Sequence, residues 1–188
     1  MIHKGSFTVV LDACVLYPFS LRDVLLRLAE LDLYRPKWTD KINQEWVTNL
    51  GKEEGIDQES LERTVRLMNN AFPEALVTGY QKLIQAVDLP DPDDRHVLAA
   101  AIRVNADLIV TNNIKDFPEE ELDKYDIEAQ KADTFVHNLI DLDKQKCCEA
   151  LRNLLNDLTD PPLSQKELLK RFRKVGLKKS SKLFEENC

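Results

Sequence analysis

The chain has 188 residues, 43% of them hydrophobic and 31% charged, with a formal net charge of −7. That length buries a sizeable core as one domain with a small appendage, and no apolar run approaches the roughly 20 residues a bilayer span needs, so no membrane contact is expected. The charge is uneven: residues 164–188 hold eight Lys or Arg against three Glu, which leaves +5 there and −12 in the remainder. Such an acidic body repels nucleic acid unless metal ions or a local basic patch offset it. Cys14, Cys147, Cys148 and Cys188 show neither a disulfide framework nor a zinc spacing. The first six residues lack the apolar stretch of a signal peptide. A reduced, cytoplasmic protein is the expectation.

In chain order, Phe7, Thr8, Val9, Val10 and Leu11 make a β-branched, apolar run that reads as a buried parallel strand ending at Asp12. After Tyr17 and Pro18, Ser20 with Asp23 resembles a capping box, and Leu21, Val24, Leu25 and Leu28 form a helical stripe. Residues 34–38 make a second short strand. Thr39 or Asp40 caps a helix that carries Glu45 and Trp46 and stops at Gly51, and Asp57 caps the next. Between 69 and 90 a short strand is expected at 75–77 or 86–89. Pro90 and Pro92 impose extended backbone, and Asp93 or Asp94 then caps an Ala-rich helix reaching about Val104.

Residues 107–111 are a clear short strand, with Asn112 to Asp116 as the loop after it. Pro118 opens an acidic helical turn, 127–129 is a last short strand, and Asp133 caps a helix. A further amphipathic helix follows over about 142–158. Ser164 caps a basic helix whose Leu168, Leu169 and Phe172 share one face. Strands alternating with helices predict an α/β fold with a mostly parallel sheet, whose ligand crevice lies beyond the carboxyl ends of its strands. Asp12 and Thr111 both fall there. Cys14 reads as a small buried hydrophobe, His96 as a partly buried helix residue, and Trp38 and Trp46 as core anchors.

Four acids end a predicted strand or open a helix: Asp12, Glu45, Asp94 and Asp116. Carboxylates gathered in one crevice repel and raise one another's pKa unless a cation is bound. Mg2+ and Mn2+ favour such oxygen ligands, and a metal so held supports hydrolytic phosphoryl transfer.

The runs Val10-Leu-Asp12-Ala-Cys-Val-Leu-Tyr-Pro18, Asn43-Gln-Glu45-Trp46, Asp91-Pro-Asp-Asp94-Arg-His-Val-Leu-Ala-Ala-Ala101 and Val110-Thr-Asn-Asn-Ile-Lys-Asp116-Phe117 resemble the four motifs of the PIN-domain nucleases. They look most like the VapC-like toxins of toxin–antitoxin modules. The resemblance implies a three-layer α/β/α fold over residues 1–140, with residues 141–188 as a C-terminal helical extension. It implies an Mg2+- or Mn2+-dependent endoribonuclease that acts on RNA and is neutralised by a protein antitoxin, as a monomer or a homodimer. Asp12, Glu45, Asp94 and Asp116 would be the catalytic, metal-holding acids, with Thr111 and Asn113 in support. Asp91 and Asp93 compete with Asp94 for the third position, and Asn113 stands where some relatives carry an acid. Arg95 and Lys115 are candidate RNA phosphate contacts.

Two rival readings share the pattern. A receiver-like phosphoacceptor domain also gathers acids, a Thr and a Lys at a parallel sheet edge, but it needs the Lys after its last strand, and Lys115 follows Thr111 within one loop. A non-catalytic PIN-like module that binds RNA or protein would not require all four acids.

Overall fold

The computed structural model describes residues 7–188; the reading of the first six residues as free of a leader lies outside them. The chain runs β1 (Thr8–Leu11), α1 (Ala13–Leu16), α2 (Phe19–Glu30), β2 (Arg35–Lys37), α3 (Asp40–Glu53), α4 (Gln58–Ala71), α5 (Arg95–Arg103), β3 (Leu108–Val110), α6 (Glu119–Leu122), β4 (Glu128–Gln130), α7 (Ala132–Leu142), α8 (Lys144–Asp157), α9 (Gln165–Lys174) and α10 (Lys178–Asn187). The four strands form one sheet in the order β2-β1-β3-β4, every neighbouring pair parallel. With helices packed around it, this is the three-layer α/β/α class expected. Among the described residues no helix is long and apolar enough to cross a membrane.

The two central strands are apolar on both faces, because both are covered: Val9, Val10, Leu11, Ile109 and Val110 have no solvent exposure. α5 packs on β1 and β3. Its Val97, Leu98 and Ala101 join the core around the sheet, while the fully buried Ala99 and Ala100 face the other way, where their small side chains admit Val77 and Tyr80. The packing on β1 and β3 carries Asp94, one residue before α5, toward the carboxyl edge of the sheet.

Several local expectations are corrected. The candidate strand at 75–77 is only an isolated bridge from Leu76 to Trp38. α2 starts at Phe19 after Pro18 without a side-chain cap, because Asp23 pairs with Arg27 instead of turning back to Ser20. Gly51 does not stop α3, which continues to Glu53. The cap ahead of α5 is Asp91, which accepts from the Asp93 backbone at 2.9 Å, so neither Asp93 nor Asp94 plays that part. The chain folds there as a tight 3-10 turn over Pro92–Asp94, and only the residue preceding the turn can reach its free N–H.

The C-terminal helices are the least expected part. Leu168, Leu169 and Phe172 of α9 are buried, as their spacing predicts, against α2 and α10. Gly176, at φ +98°, allows the reversal that lays α10 back on α7 and α9. Cys148 on α8 and Cys188 are joined in a disulfide, against the expectation of none; the pairing depends on that fold-back and is invisible in the spacing. Phe172 and Phe184 also meet there, with ring centroids 6.2 Å apart.

Asp133 was expected to cap its own helix. It lies inside α7 and caps α10 instead: its carboxylate accepts from the backbone N–H of Lys179 at 3.0 Å and of Ser180 at 2.9 Å, and from the Ser180 hydroxyl at 2.8 Å. Partial burial opposes its charge, but these donors outweigh that and hold its pKa below the usual carboxylate range. A carboxyl with a depressed folded pKa stabilises above its unfolded pKa and loses that contribution as pH falls through the folded value. Asp133→Ala should therefore lower stability by about 1–2 kcal/mol at neutral pH, with the deficit shrinking below about pH 4. Urea melts of wild type and variant at both pH values measure it, and equal midpoints at pH 7 would contradict the capping role.

Candidate functional site

The site begins where β1 and β3 end side by side. Their parallel register pairs Leu11 with Val110, so the next residues, Asp12 and Thr111, emerge together. The Asp12 N–H still reaches the Val110 carbonyl at 3.1 Å, and the Thr111 N–H the Gln130 carbonyl at 3.0 Å. Asp12 caps α1: its Oδ1 accepts from the Ala13 N–H at 2.6 Å. Its Oδ2 accepts from the Thr111 hydroxyl at 2.7 Å and from the Cys14 thiol at 3.1 Å. Thr111 in turn accepts from the Asn113 backbone N–H at 3.0 Å. The carboxylate is only 4% exposed yet charge-compatible, because donors surround it.

Cys14 is thus more than a small hydrophobe. Burial, and then the Asp12 charge, push its thiol up to about 12. It stays protonated, donates to Asp12 and accepts from the Asn112 N–H at 3.2 Å. A thiol in that state is neither a nucleophile nor a metal ligand.

Asp94 ends the 3-10 turn ahead of α5 and is half-buried. Burial first, and then the charges of Asp12, Asp91 and Asp116, push its pKa up to about 6, with His96 opposing. Asp12, Asp91 and Asp116 thus lie within electrostatic reach of Asp94. Asp93 is exposed and contributes its backbone N–H to Asp91. Asp116 sits in a 3-10 turn over Ile114–Asp116, fixed by its N–H to the Asn113 carbonyl at 3.0 Å and by the buried Phe117 beside it. Asn113 has an exposed side chain and supports the site through its backbone.

Glu45 is tied to this region only through His96 among the described residues. It projects from α3, 3.9 Å from Lys41 Nζ, and its Oε1 lies 2.9 Å from Nε2 of His96, at the start of α5. His96 is 1% exposed, so it is not the partly buried helix residue expected. Among the described residues its Nδ1 has no hydrogen-bond partner, and the Nε2 contact with Glu45 is close but off the line of a well-formed hydrogen bond. Arg95 is ion-paired with Asp88, which turns it from phosphate binding, whereas Lys115 is exposed.

Among the described residues no three His, Cys, Asp or Glu side chains stand close enough to form a ready-made ligand shell. The donor chemistry nevertheless fits a hard cation: carboxylate oxygens of like charge, with Asp94 held above its ordinary pKa first by burial and then by its acidic neighbours. Mg2+ keeps several waters and needs only one or two protein carboxylates beside substrate phosphates, so a loose set of acids suits it better than a closed cage.

Comparison with known proteins bears on the same stretch. The family model described as "PIN domain" matches residues 8–115, and one described as "VapC50 C-terminal domain" matches residues 132–186. The chain is 37% identical over 100 residues to the protein named "Putative ribonuclease VapC50" of Mycobacterium tuberculosis (strain ATCC 25618 / H37Rv). That match covers 53% of this chain and 59% of the relative. No solved structure matches.

A carboxyl whose folded pKa is raised binds its proton more tightly folded than unfolded, so it favours the folded state at low pH and loses that advantage as pH rises from about 4 toward 6. Ionised Asp94 should then cost stability at pH 7, on the order of 1 kcal/mol once its half-exposure is allowed for. Asp94→Asn, freed of divalent ions with EDTA, should melt about 2–4 °C above wild type at pH 7, with the gap closing near pH 4. Calorimetric melts measure this, and a variant that melts lower at pH 7 would contradict the crowding.

Proposed function

The chain belongs to the PIN-domain family, and from that premise we propose that it is an Mg2+- or Mn2+-dependent endoribonuclease, the toxin of a toxin–antitoxin pair acting in the cytoplasm. The observation that carries the reading is the Asp12–Thr111 pair at the carboxyl edge of the sheet, electrostatically linked through Asp94 to Asp116. The ribonuclease name of the VapC50 relative supports it.

Asp12, Glu45, Asp94 and Asp116 would hold the ion. Bound there, a divalent cation supplies activation of water and neutralisation of phosphate charge. The chain's own residues do the remainder. Thr111, with Cys14 and the Ala13 N–H, fixes the orientation of Asp12; Oδ2 takes two of these bonds and Oδ1 one, so Oδ1 keeps a lone pair for the ion. Asp94, whose charge burial and its acidic neighbours disfavour in the empty site, would be held ionised by the bound cation. Lys115 is the exposed cation in the loop after β3 and is the candidate contact to a phosphate; Arg95, engaged by Asp88, is the weaker one.

The division into a nuclease core over residues 1–140 and an extension over 141–188 belongs to the same proposal. The extension would give an otherwise acidic protein its attraction for RNA. Lys166, Lys170, Arg171 and Lys174 all point to solvent, since the opposite face of α9 is buried. Deleting the extension would strip Phe172, Leu177 and Phe184 from the core, so charge reversal of these exposed residues is the cleaner perturbation. A protein antitoxin would cover exposed apolar surface. Phe19, Ile56 and Leu67 supply it, along a groove of about 700 Å³ between α2 and α4. The receiver-like alternative is disfavoured because it needs a Lys after the last strand, whereas Lys115 follows β3 and the last strand is β4.

The test is cleavage of an end-labelled single-stranded RNA in millimolar Mn2+. Wild type should cut it, EDTA should abolish the cutting, and Asp12→Asn should lower the rate by about 100-fold or more while folding normally. Intact RNA with wild type in Mn2+ would overturn the proposal; wild-type-like cutting by Asp12→Asn would remove that residue from it.

A further inference from the structure

Glu45 stands apart from the acids that act on Asp94, yet one buried side chain contacts Glu45 and acts electrostatically on Asp94. His96 stands in contact with Glu45 across the α3–α5 packing, its Nε2 2.9 Å from the carboxylate, and it lies two residues beyond Asp94 in the chain, on whose carboxyl its charge acts. The ring is 1% exposed and no protein group satisfies its Nδ1. Burying an imidazole without well-formed partners is unfavourable by about 1–3 kcal/mol. An apolar residue would fill the same volume among Val97, Leu98 and Ala99, which are fully buried. A position that carries such a penalty is accounted for if the ring acts on its acidic neighbours.

We propose that His96 is a positioning residue: its imidazole holds the Glu45 carboxylate of α3 against the start of α5, so that this acid is presented to the same crevice as Asp12, Asp94 and Asp116. The inference rests on the nuclease reading of that crevice. The free choices of Glu45 are limited by geometry. Among the described residues its only other partner at ion-pair distance is Lys41, one turn back on the same helix, 3.9 Å away and 46% exposed, and such surface pairs hold a side chain weakly. His96 comes from a different element, so it alone couples the Glu45 head group to the loop that carries Asp94. Lengthening or losing that contact should leave both helices packed, since Trp46, Val47, Val97 and Leu98 carry the burial. It should misplace one carboxylate by about an ångström, a displacement of the size that costs catalysis about 100-fold.

The experiment is a double-mutant cycle on the full chain with His96→Leu, Glu45→Gln and the pair, plus His96→Gln, which keeps an N–H donor. Mn2+ affinity is read by calorimetry, and kcat and KM on an RNA oligonucleotide. His96→Leu should weaken Mn2+ binding at least fivefold and lower kcat at least tenfold with KM changed less than threefold. His96→Gln should recover most of both. In the Glu45→Gln background the Leu substitution should add less than a twofold effect, because distinct sites add and coupled sites do not. Equal losses in both backgrounds, or wild-type Mn2+ affinity and kcat in His96→Leu, would overturn the proposal. Should His96→Leu fail to fold, the imidazole 15N resonances of wild type and Glu45→Gln decide: those of His96 should shift, while those of His137 stay, and unchanged His96 signals overturn it. If wild type cuts no RNA, the nuclease reading fails by itself, and the Mn2+ cycle and the resonances still report on the His96–Glu45 contact.

Discussion

A hydrogen bond of 2.7 Å from the Thr111 hydroxyl to Asp12 joins two residues 99 positions apart in the chain, and the remainder of the site depends on it. It forms only because β1 and β3 are adjacent and parallel, with a register that ends both strands at the same level. Without that donor the Asp12 carboxylate would be a buried charge with one side chain thiol and one backbone N–H to hold it. With it, the first acid is fixed at the mouth of the sheet, and the loops that follow β3 and precede α5 bring Asp116 and Asp94 within reach of its field.

The placement works against stability. Asp94 is held above its ordinary pKa by burial and by neighbours of its own sign, with a partial opposition from His96. Sites built for binding a cation accept such strain, because the folded chain without it is under-neutralised. The same economy appears in the overall charge: the body is acidic, and the compensating cations are concentrated on the solvent face of α9 rather than near the crevice. The apolar face of that helix and the Asp133 cap on α10 bind the extension firmly to α2 and α7, so the cations are carried on a rigid element.

What could be read in the residues was what short-range pattern determines. The apolar runs that end at Asp12 and Thr111 declare strands, and the parallel-sheet rule then places both at one edge. Thr39, Asp57 and Ser164 cap helices as their side chains predict. The Ala-rich run after Asp94 is a buried helix because both of its faces are covered, one by the core around the sheet and one by Val77 and Tyr80. What escaped was set by contacts between distant segments. His96 lies in a run that reads as core, and its meeting with Glu45 depends on how α3 crosses α5. The bond between Cys148 and Cys188, and the capture of α10 by Asp133, need a reversal at Gly176 that spacing does not reveal. Among three aspartates, the tight turn at Pro92 chose Asp91 as the cap, a choice of backbone geometry rather than residue type.

The central claim is that these acids form one cation site. Anomalous diffraction from a crystal soaked in millimolar Mn2+ tests it most directly. The account predicts a peak bounded by carboxylate oxygens of Asp12, Asp94 and Asp116, at about 2.0–2.3 Å from its ligands. A map with no peak in that crevice, or with Mn2+ bound only elsewhere on the acidic surface, would contradict it.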